Sequence, residues 1–175
     1  MNRLLTIVVT IIVAEAVCSC KHKSRIETEI IRLSGQTIVF PEGYEIISQH
    51  DSSEVSSIIT DSTKIVTYFP DIPCTECMLN LLYDWQDEIK HMNIPFILVV
   101  DSCSEVELRY GISEYEMDIH IIMYHTGIFN TTNDLNVVAR NRTFLLDKDN
   151  TILIVGEPFR NDRMKELYTE AMKQL

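Results

Sequence analysis

The chain has 175 residues, of which 46% are hydrophobic and 23% are charged, so it can bury the core of one domain and is not a wholly disordered protein. Its 15 Lys and Arg residues against 26 Asp and Glu residues give a net charge of −11, which argues against a nucleic-acid binder because phosphate neutralisation needs clustered cations. The five glycines are scattered, so the glycine-rich loops that cradle the phosphates of bound nucleotides lose their main support.

The first twenty residues are similar to a bacterial lipoprotein signal. A short positive region precedes a ten-residue apolar run, about half the length that a membrane-spanning helix needs. Small residues then lead to Cys20, which is the expected lipidated first residue of the mature chain. A signal peptide over 1–19, a polar tether over 20–35 and a domain over 36–175 are predicted. An ordinary signal peptide cut elsewhere, or an uncleaved anchor, is the alternative.

This N-terminus predicts an exported protein that is held on a membrane by lipid and faces the periplasm or the cell exterior. Acyl chains contribute roughly 0.8 kcal/mol per buried methylene group, so several of them on Cys20 would hold the protein firmly. Disulfides can form in such a compartment.

In the domain, residues 36–61 suggest only a β-hairpin or an extra edge element. Lys64–Phe69 (KIVTYF) is rich in β-branched and aromatic residues, which predicts a buried strand. From Cys74 onwards apolar side chains recur every three or four positions, and this period predicts an amphipathic helix to about residue 92.

Strands and helices continue to alternate along the rest of the chain. Because strands separated by helices imply parallel crossovers, and two late strands flank a short turn, we expect a mixed sheet. The fold class is therefore an α/β sandwich with a mixed central sheet flanked by helices. The predicted elements are a strand at 95–100, a short helix capped by Ser104 or Ser102, an apolar run at 119–124, a hairpin of 143–146 with 152–155, and a C-terminal helix capped by Asn161 or Asp162.

Cys74 and Cys77 form a CxxC motif between the first predicted strand and the helix that follows it. Residues three apart on a first helical turn lie close enough for a disulfide after a small adjustment. The helix start favours negative charge, so we expect Cys74 to be the attacking thiolate and Cys77 the resolving cysteine. Asp71 and Glu76 disfavour a nearby thiolate, which predicts a reductant or isomerase rather than a disulfide donor.

The segment KIVTYFPDIPCTEC with its following helix resembles the thioredoxin-like fold. In more detail it resembles redoxin-type, membrane-tethered thiol–disulfide oxidoreductases, the thioredoxin-like lipoproteins of Gram-negative bacteria. RTFLLDKDNTILIVGEPFRND resembles the hairpin that follows the active site of that family. The family usually has a cis-proline where this chain has Arg142, a departure that bears on how a substrate docks.

The resemblance implies a thioredoxin-like three-layer sandwich and an enzyme with Cys74 as nucleophile and Cys77 as resolving residue. It implies no organic cofactor and no metal. The expected partners are protein thiols or disulfides, an upstream dithiol protein that supplies electrons, and a lipid membrane through Cys20; the expected state is a monomer.

Two alternatives remain open. The CxxC can be a permanent structural disulfide in a redox-inert binding module. It can also provide two ligands of a zinc site, with His120 and His125 as the other two, although 42 residues separate the halves. Cys103 is expected to be a buried or half-buried free thiol.

Overall fold

The computed structural model describes residues 24–47, 52–70, 75–101, 104–115, 119–135 and 142–174, which contain six helices and six strands. In chain order these are α1 (Arg25–Leu33), β1 (Glu45–Ile46), α2 (Ser52–Asp61), β2 (Lys64–Phe69), α3 (Thr75–Met92), β3 (Phe96–Asp101), α4 (Glu105–Tyr115), β4 (His120–Tyr124), α5 (Ile128–Asn133), β5 (Thr143–Leu146), β6 (Ile152–Val155) and α6 (Asp162–Met172).

All six strands belong to one mixed sheet with the order β1-β4-β3-β2-β5-β6. Strands β2, β3 and β4 run parallel, while β5 pairs antiparallel with β2 and β6 pairs antiparallel with β5. The carboxyl ends of the three parallel strands therefore share one edge of the sheet. Strand β2 lies inside the sheet between β3 and β5, so the chain that leaves it starts from the middle of this edge.

Helices cover both faces of the sheet, because alternate residues of the buried strands point to opposite sides. On one face Val66 and Tyr68 of β2 pack with apolar residues of α1, α2 and α5. On the other face Ile65 packs with residues of α3, α4 and α6, among them the fully buried Tyr168. The result is a three-layer α/β sandwich, as the sequence predicts.

The predicted central elements are confirmed. The strand before the CxxC motif, the helix after it, the next two parallel strands, the late hairpin and the C-terminal helix are all present. Asn161 caps α6 by accepting a hydrogen bond from the amide of Met164 at 2.9 Å. Ser104 caps α4, since its hydroxyl accepts from the amide of Glu107 at 3.4 Å.

The structure differs from the predicted tether over its described residues. Ser24 and Glu27 form a capping box that starts α1, and Leu33 at its other end is fully buried. Ile26, Ile30 and Leu33 recur at helical spacing within the polar segment, and Ile30 and Leu33 pack into the core. Residues 20–23 of the predicted tether, and the predicted signal peptide and lipidation site Cys20, lie outside the described residues.

Residues 36–61 contain the predicted edge element, β1, and a helix that the sequence did not indicate. The helix α2 has the sequence SSEVSSIITD, whose Ser, Thr and β-branched residues are weak helix formers. It is stabilised by burial of Val55, Ile58 and Ile59 at positions i, i+3 and i+4.

Candidate functional site

Cys77 lies in the first turn of α3, the element that follows the central strand β2 in the chain. Its side chain is exposed, and its sulfur is disulfide-bonded. The helix holds this position firmly because Met78, Leu79 and Leu82 in its next residues are buried against the sheet. The structure therefore presents a disulfide sulfur at the surface, at the middle of the sheet edge.

The bonding partner of Cys77 is not among the described residues. The chain has five cysteines, and the other four, Cys18, Cys20, Cys74 and Cys103, all lie outside them. Asp71, the acid that precedes the motif by three residues, also lies outside the described residues. Of the acidic neighbours of the motif, the structure describes Glu76, which precedes Cys77 and is exposed.

A buried acid lies at the same edge of the sheet, at the end of β3. The carboxylate of Asp101 is fully buried, and its Oδ2 accepts a hydrogen bond from the Tyr68 hydroxyl at 2.7 Å. Burial raises the pKa of Asp101, although its hydrogen bonds with Tyr68 and the backbone of Gly127 act in the opposite direction. Burial and Asp101 together raise the pKa of Tyr68. The pKa values of both groups are therefore raised.

Arg142 also reaches this edge, from the opposite side of β2. Its carbonyl accepts a hydrogen bond from the amide of Tyr68 at 2.9 Å, and the next residue, Thr143, begins β5. Its Nε is buried and has no hydrogen-bond partner among the described residues. The structure therefore places Arg142 immediately before β5, where the resemblance leads us to expect a proline.

The sequence did not indicate the Tyr68–Asp101 pair. An acid directly after the apolar run of residues 95–100 is a signal that could have identified Asp101 as unusual. Its partner could not have been named without knowing that β2 and β3 are neighbours in the sheet.

The alternative of a zinc site is wrong. His120 begins β4 and His125 follows its end, so about 16 Å of strand separates them and they cannot bind one ion. His120 lies at the amino edge of the parallel strands, opposite the edge that carries Cys77. His125 instead lies 3.2 Å from the carboxylate of Glu45. Within the described ranges no group of three or more His, Cys, Asp or Glu side chains could hold a metal ion.

Comparison with known proteins supports the fold through structure alone. No protein-family model matches the chain, and a search of curated proteins finds no match. A mutant of PrxQ from Xylella fastidiosa is similar over 81% of this chain and 96% of its own, with a TM-score of 0.53 and 10% identity. A thioredoxin-like protein solved in its oxidized form is similar over 78% of this chain and 97% of its own, with a TM-score of 0.52 and 11% identity. The chain has a thioredoxin-like fold.

In this thioredoxin-like domain the one described cysteine follows the central strand and occupies the start of the next helix. The fold therefore gives Cys77 two properties that thiol chemistry needs: access from solvent and a position at the positive end of a helix. Among the described residues, no helix combines the length and apolar character that crossing a bilayer requires.

Proposed function

We propose that the chain is a membrane-anchored thiol–disulfide oxidoreductase, which uses the CxxC pair Cys74 and Cys77 to reduce or isomerise protein disulfides. The observation that carries the proposal is the exposed, disulfide-bonded Cys77 at the start of α3. Exposed disulfides are the ones that exchange readily, whereas structural disulfides are resistant to reduction. Cys74 is the partner that the CxxC spacing favours.

The proposed reaction transfers two electrons from the reduced pair to a substrate disulfide. The Cys74 thiolate attacks one substrate sulfur, so that a mixed disulfide forms and the other substrate sulfur leaves as a thiolate. The Cys77 thiolate then attacks the sulfur of Cys74, which releases the second substrate thiolate and forms the Cys74–Cys77 disulfide. Protons from the two cysteine thiols and solvent convert the released thiolates into thiols. A second dithiol protein must then reduce the pair.

The acidic surroundings support the direction of this transfer. Glu76 is exposed beside Cys77, and Asp71 precedes the motif by three residues. Negative charge disfavours a neighbouring thiolate, and a less stable thiolate form makes the disulfide less oxidising. A reductant or isomerase is therefore favoured over a disulfide donor.

The proposed membrane anchor rests on the sequence. The lipoprotein-like signal ends at Cys20, and acylation there would hold the domain on a membrane facing the periplasm or the cell exterior. A domain in that compartment can keep an exposed disulfide, as Cys77 does.

The experiment that tests the exchange chemistry is a mixed-disulfide trap. In the Cys77→Ser variant the attacking cysteine forms adducts that nothing resolves, so covalent complexes through Cys74 should accumulate. They should be visible by non-reducing electrophoresis and disappear when thiols are added. The Cys74→Ser variant should form none, since it lacks the nucleophile.

Cys103→Ser is the matched control, because it also removes one cysteine but lies outside the motif. It should leave the adducts of a Cys77→Ser background unchanged. A structural disulfide would give no Cys74-dependent adduct in either motif variant, and that result would contradict the proposed function.

A further inference from the structure

Arg142 is a cation without a partner in the part of the chain that the structure describes. Its Nε is buried and has no hydrogen bond, and its guanidinium forms no ion pair with a described acid. Four other arginines each lie 2.7 to 3.3 Å from a carboxylate oxygen, namely Arg25, Arg32, Arg109 and Arg163. Because a partly buried donor without an acceptor is unfavourable, we expect Arg142 to take its acceptor from a bound molecule.

The acids at the ends of the neighbouring strands do not pair with Arg142. Asp101 lies on the other side of β2, where its carboxylate accepts a hydrogen bond from the Tyr68 hydroxyl at 2.7 Å. Glu157 follows β6, and after burial it is the second cause that raises the pKa of Tyr168, a residue of the opposite face of the sheet. The charge of Arg142 is therefore not used within this edge of the sheet.

This edge of the sheet also carries the disulfide. The carbonyl of Arg142 accepts from the Tyr68 amide at 2.9 Å, so Arg142 lies one strand spacing, about 4.8 Å, from the end of β2. Phe69, the last residue of β2, packs against the apolar cluster that contains Met78, the residue after Cys77. Arg142 and Cys77 therefore lie beside the same stretch of the edge, within reach of one extended substrate segment.

The guanidinium of Arg142 is accessible and has the shape that a carboxylate requires. Burial raises the pKa of Tyr68, and the positive charge of Arg142 acts in the opposite direction, which places this charge near the Tyr68 hydroxyl. The residue is only partly buried, so a substrate can still contact it. The N–H groups of a guanidinium form a planar fork that matches the two oxygens of a carboxylate.

We propose that Arg142 is a specificity-determining residue, whose guanidinium binds the carboxylate of an acidic residue beside the disulfide of a protein substrate. The inference rests on the proposed thiol–disulfide exchange and names the substrates that this exchange favours. The carboxylate supplies an acceptor that the described domain lacks, and it holds the substrate disulfide at the redox pair. Salt screens exposed acids beyond about 8 Å, so an acidic segment can approach although the chain has a net charge of −11.

Two peptides provide the test. Each has one disulfide loop, which is flanked on both sides by Glu residues in the first peptide and by Gln residues in the second. The second-order rate constants for their reduction by the reduced full-length protein give a Glu-to-Gln ratio. In the Arg142→Gln variant this ratio should fall by about tenfold, because a charge-assisted hydrogen bond to the Glu peptide is lost.

Lys148→Gln is the matched control, because it removes the same charge from the turn at the other end of β5. It should leave the Glu-to-Gln ratio unchanged. General repulsion between the acidic protein and the Glu peptide acts in both variants and cancels in their comparison. An unchanged ratio in Arg142→Gln, or an equal fall in Lys148→Gln, would overturn the inference.

Binding to the unmodified protein gives a second readout that needs no exchange. The same peptides, with serine in place of both cysteines, are titrated while NMR follows the Nε–H resonance of Arg142, which is assigned by its loss in Arg142→Lys. The Glu peptide should shift this resonance to saturation, and the Gln peptide should not. Equal shifts with the two peptides, or none with either, would contradict carboxylate binding by Arg142.

The two proposals fail separately. A mixed-disulfide trap without Cys74-dependent adducts overturns the exchange chemistry, and a resonance that still responds to the Glu peptide then leaves Arg142 as a carboxylate site alone. Adducts that form without any preference for the Glu peptide overturn the role of Arg142 and leave the exchange chemistry in place.

Discussion

Lys64, the first residue of β2, is a fully buried cation. Its Nζ donates to the carbonyls of Ser62 and Asp147 at 2.8 and 3.4 Å. Burial lowers its pKa to about 8, although Asp147, Asp149 and Asp61 oppose that change. At neutral pH the domain therefore holds a charge that its surroundings disfavour.

This burial predicts an unusual dependence of stability on pH. Between pH 8 and the unfolded pKa of about 10.5, the unfolded chain binds a proton at Lys64 that the folded protein has lost. The free energy of unfolding should therefore rise by about 1 kcal/mol from pH 8 to pH 9. Denaturant unfolding at fixed ionic strength measures it, with Lys64→Met as the variant in which this rise should vanish.

The range ends at pH 9 because the buried tyrosines act in the opposite direction at higher pH. Burial raises the pKa of Tyr68, Tyr124 and Tyr168, so from about pH 9 upwards the unfolded chain loses protons that the folded protein keeps. A free energy of unfolding that is flat or falling from pH 8 to pH 9 would contradict the burial of a charged Lys64.

A second residue-scale prediction concerns the pair of Tyr68 and Asp101. Tyr68→Phe removes the hydroxyl that donates to a fully buried carboxylate, so it should lower the free energy of unfolding by about 1–3 kcal/mol. In an Asp101→Asn background the loss should be smaller, because the hydrogen bond between the hydroxyl and the carboxyl group is already absent. Tyr110→Phe, at an exposed tyrosine, is the control and should change stability by no more than about 0.5 kcal/mol. Equal losses in the two backgrounds would show that the pair is not coupled.

At the scale of elements, α3 and α4 are held together by a contact that only glycine permits. A Cβ atom at Gly111 of α4 would lie 2.0 Å from Cδ1 of Leu79 on α3. Leu79 is itself buried, so it has little room to move. The contact sets how α3, and with it Cys77, lies on the sheet.

Gly111→Ala should therefore destabilise the protein although alanine is the better helix former. At a separation of 2.0 Å the overpacking cost lies in the upper part of the range of about 1–3 kcal/mol, so it exceeds the gain of about 1 kcal/mol in helix propensity. Thermal and denaturant unfolding measure the change. In a Leu79→Ala background the same substitution should be neutral or stabilising, and Ser113→Ala on the exposed face of α4 serves as the helix-propensity control. A stabilising effect of Gly111→Ala in the otherwise unchanged protein would contradict this close packing of the two helices.

The elements differ in how well the sequence predicts them. Strand β2 and helix α3 are long and have a clear period, and both are present as expected. Helices α1, α2 and α5 are short or rich in weak helix formers, and their stability comes from a few side chains such as Leu33, Ile58 and Phe129 that reach the core. Such helices depend on tertiary contacts, which local sequence does not contain.

At the scale of the whole molecule, the sequence predicts only those parts of the candidate site whose residues are close together in the chain. The position of Cys77 at a strand-to-helix junction follows from the period change along the chain. The Tyr68–Asp101 pair and the place of Arg142 depend on the order of the strands, since β3 and β5 flank β2 without adjoining it in sequence. The separation of His120 and His125 across the length of β4 likewise needed the sheet, and it removed the zinc alternative.

The central claim is that Cys77 belongs to a disulfide that opens and closes while the domain stays folded. Redox titration of the full chain tests it most directly, with thiols trapped by alkylation and counted by mass spectrometry across thiol–disulfide buffers. We expect Cys74 and Cys77 to be reduced together in one two-electron step. The midpoint should lie nearer to about −270 mV, the value for thioredoxin, than to about −120 mV, the value for a strong periplasmic oxidant. A disulfide that stays intact in excess reductant until the protein is unfolded, or a Cys77 that pairs with a cysteine other than Cys74, would contradict it.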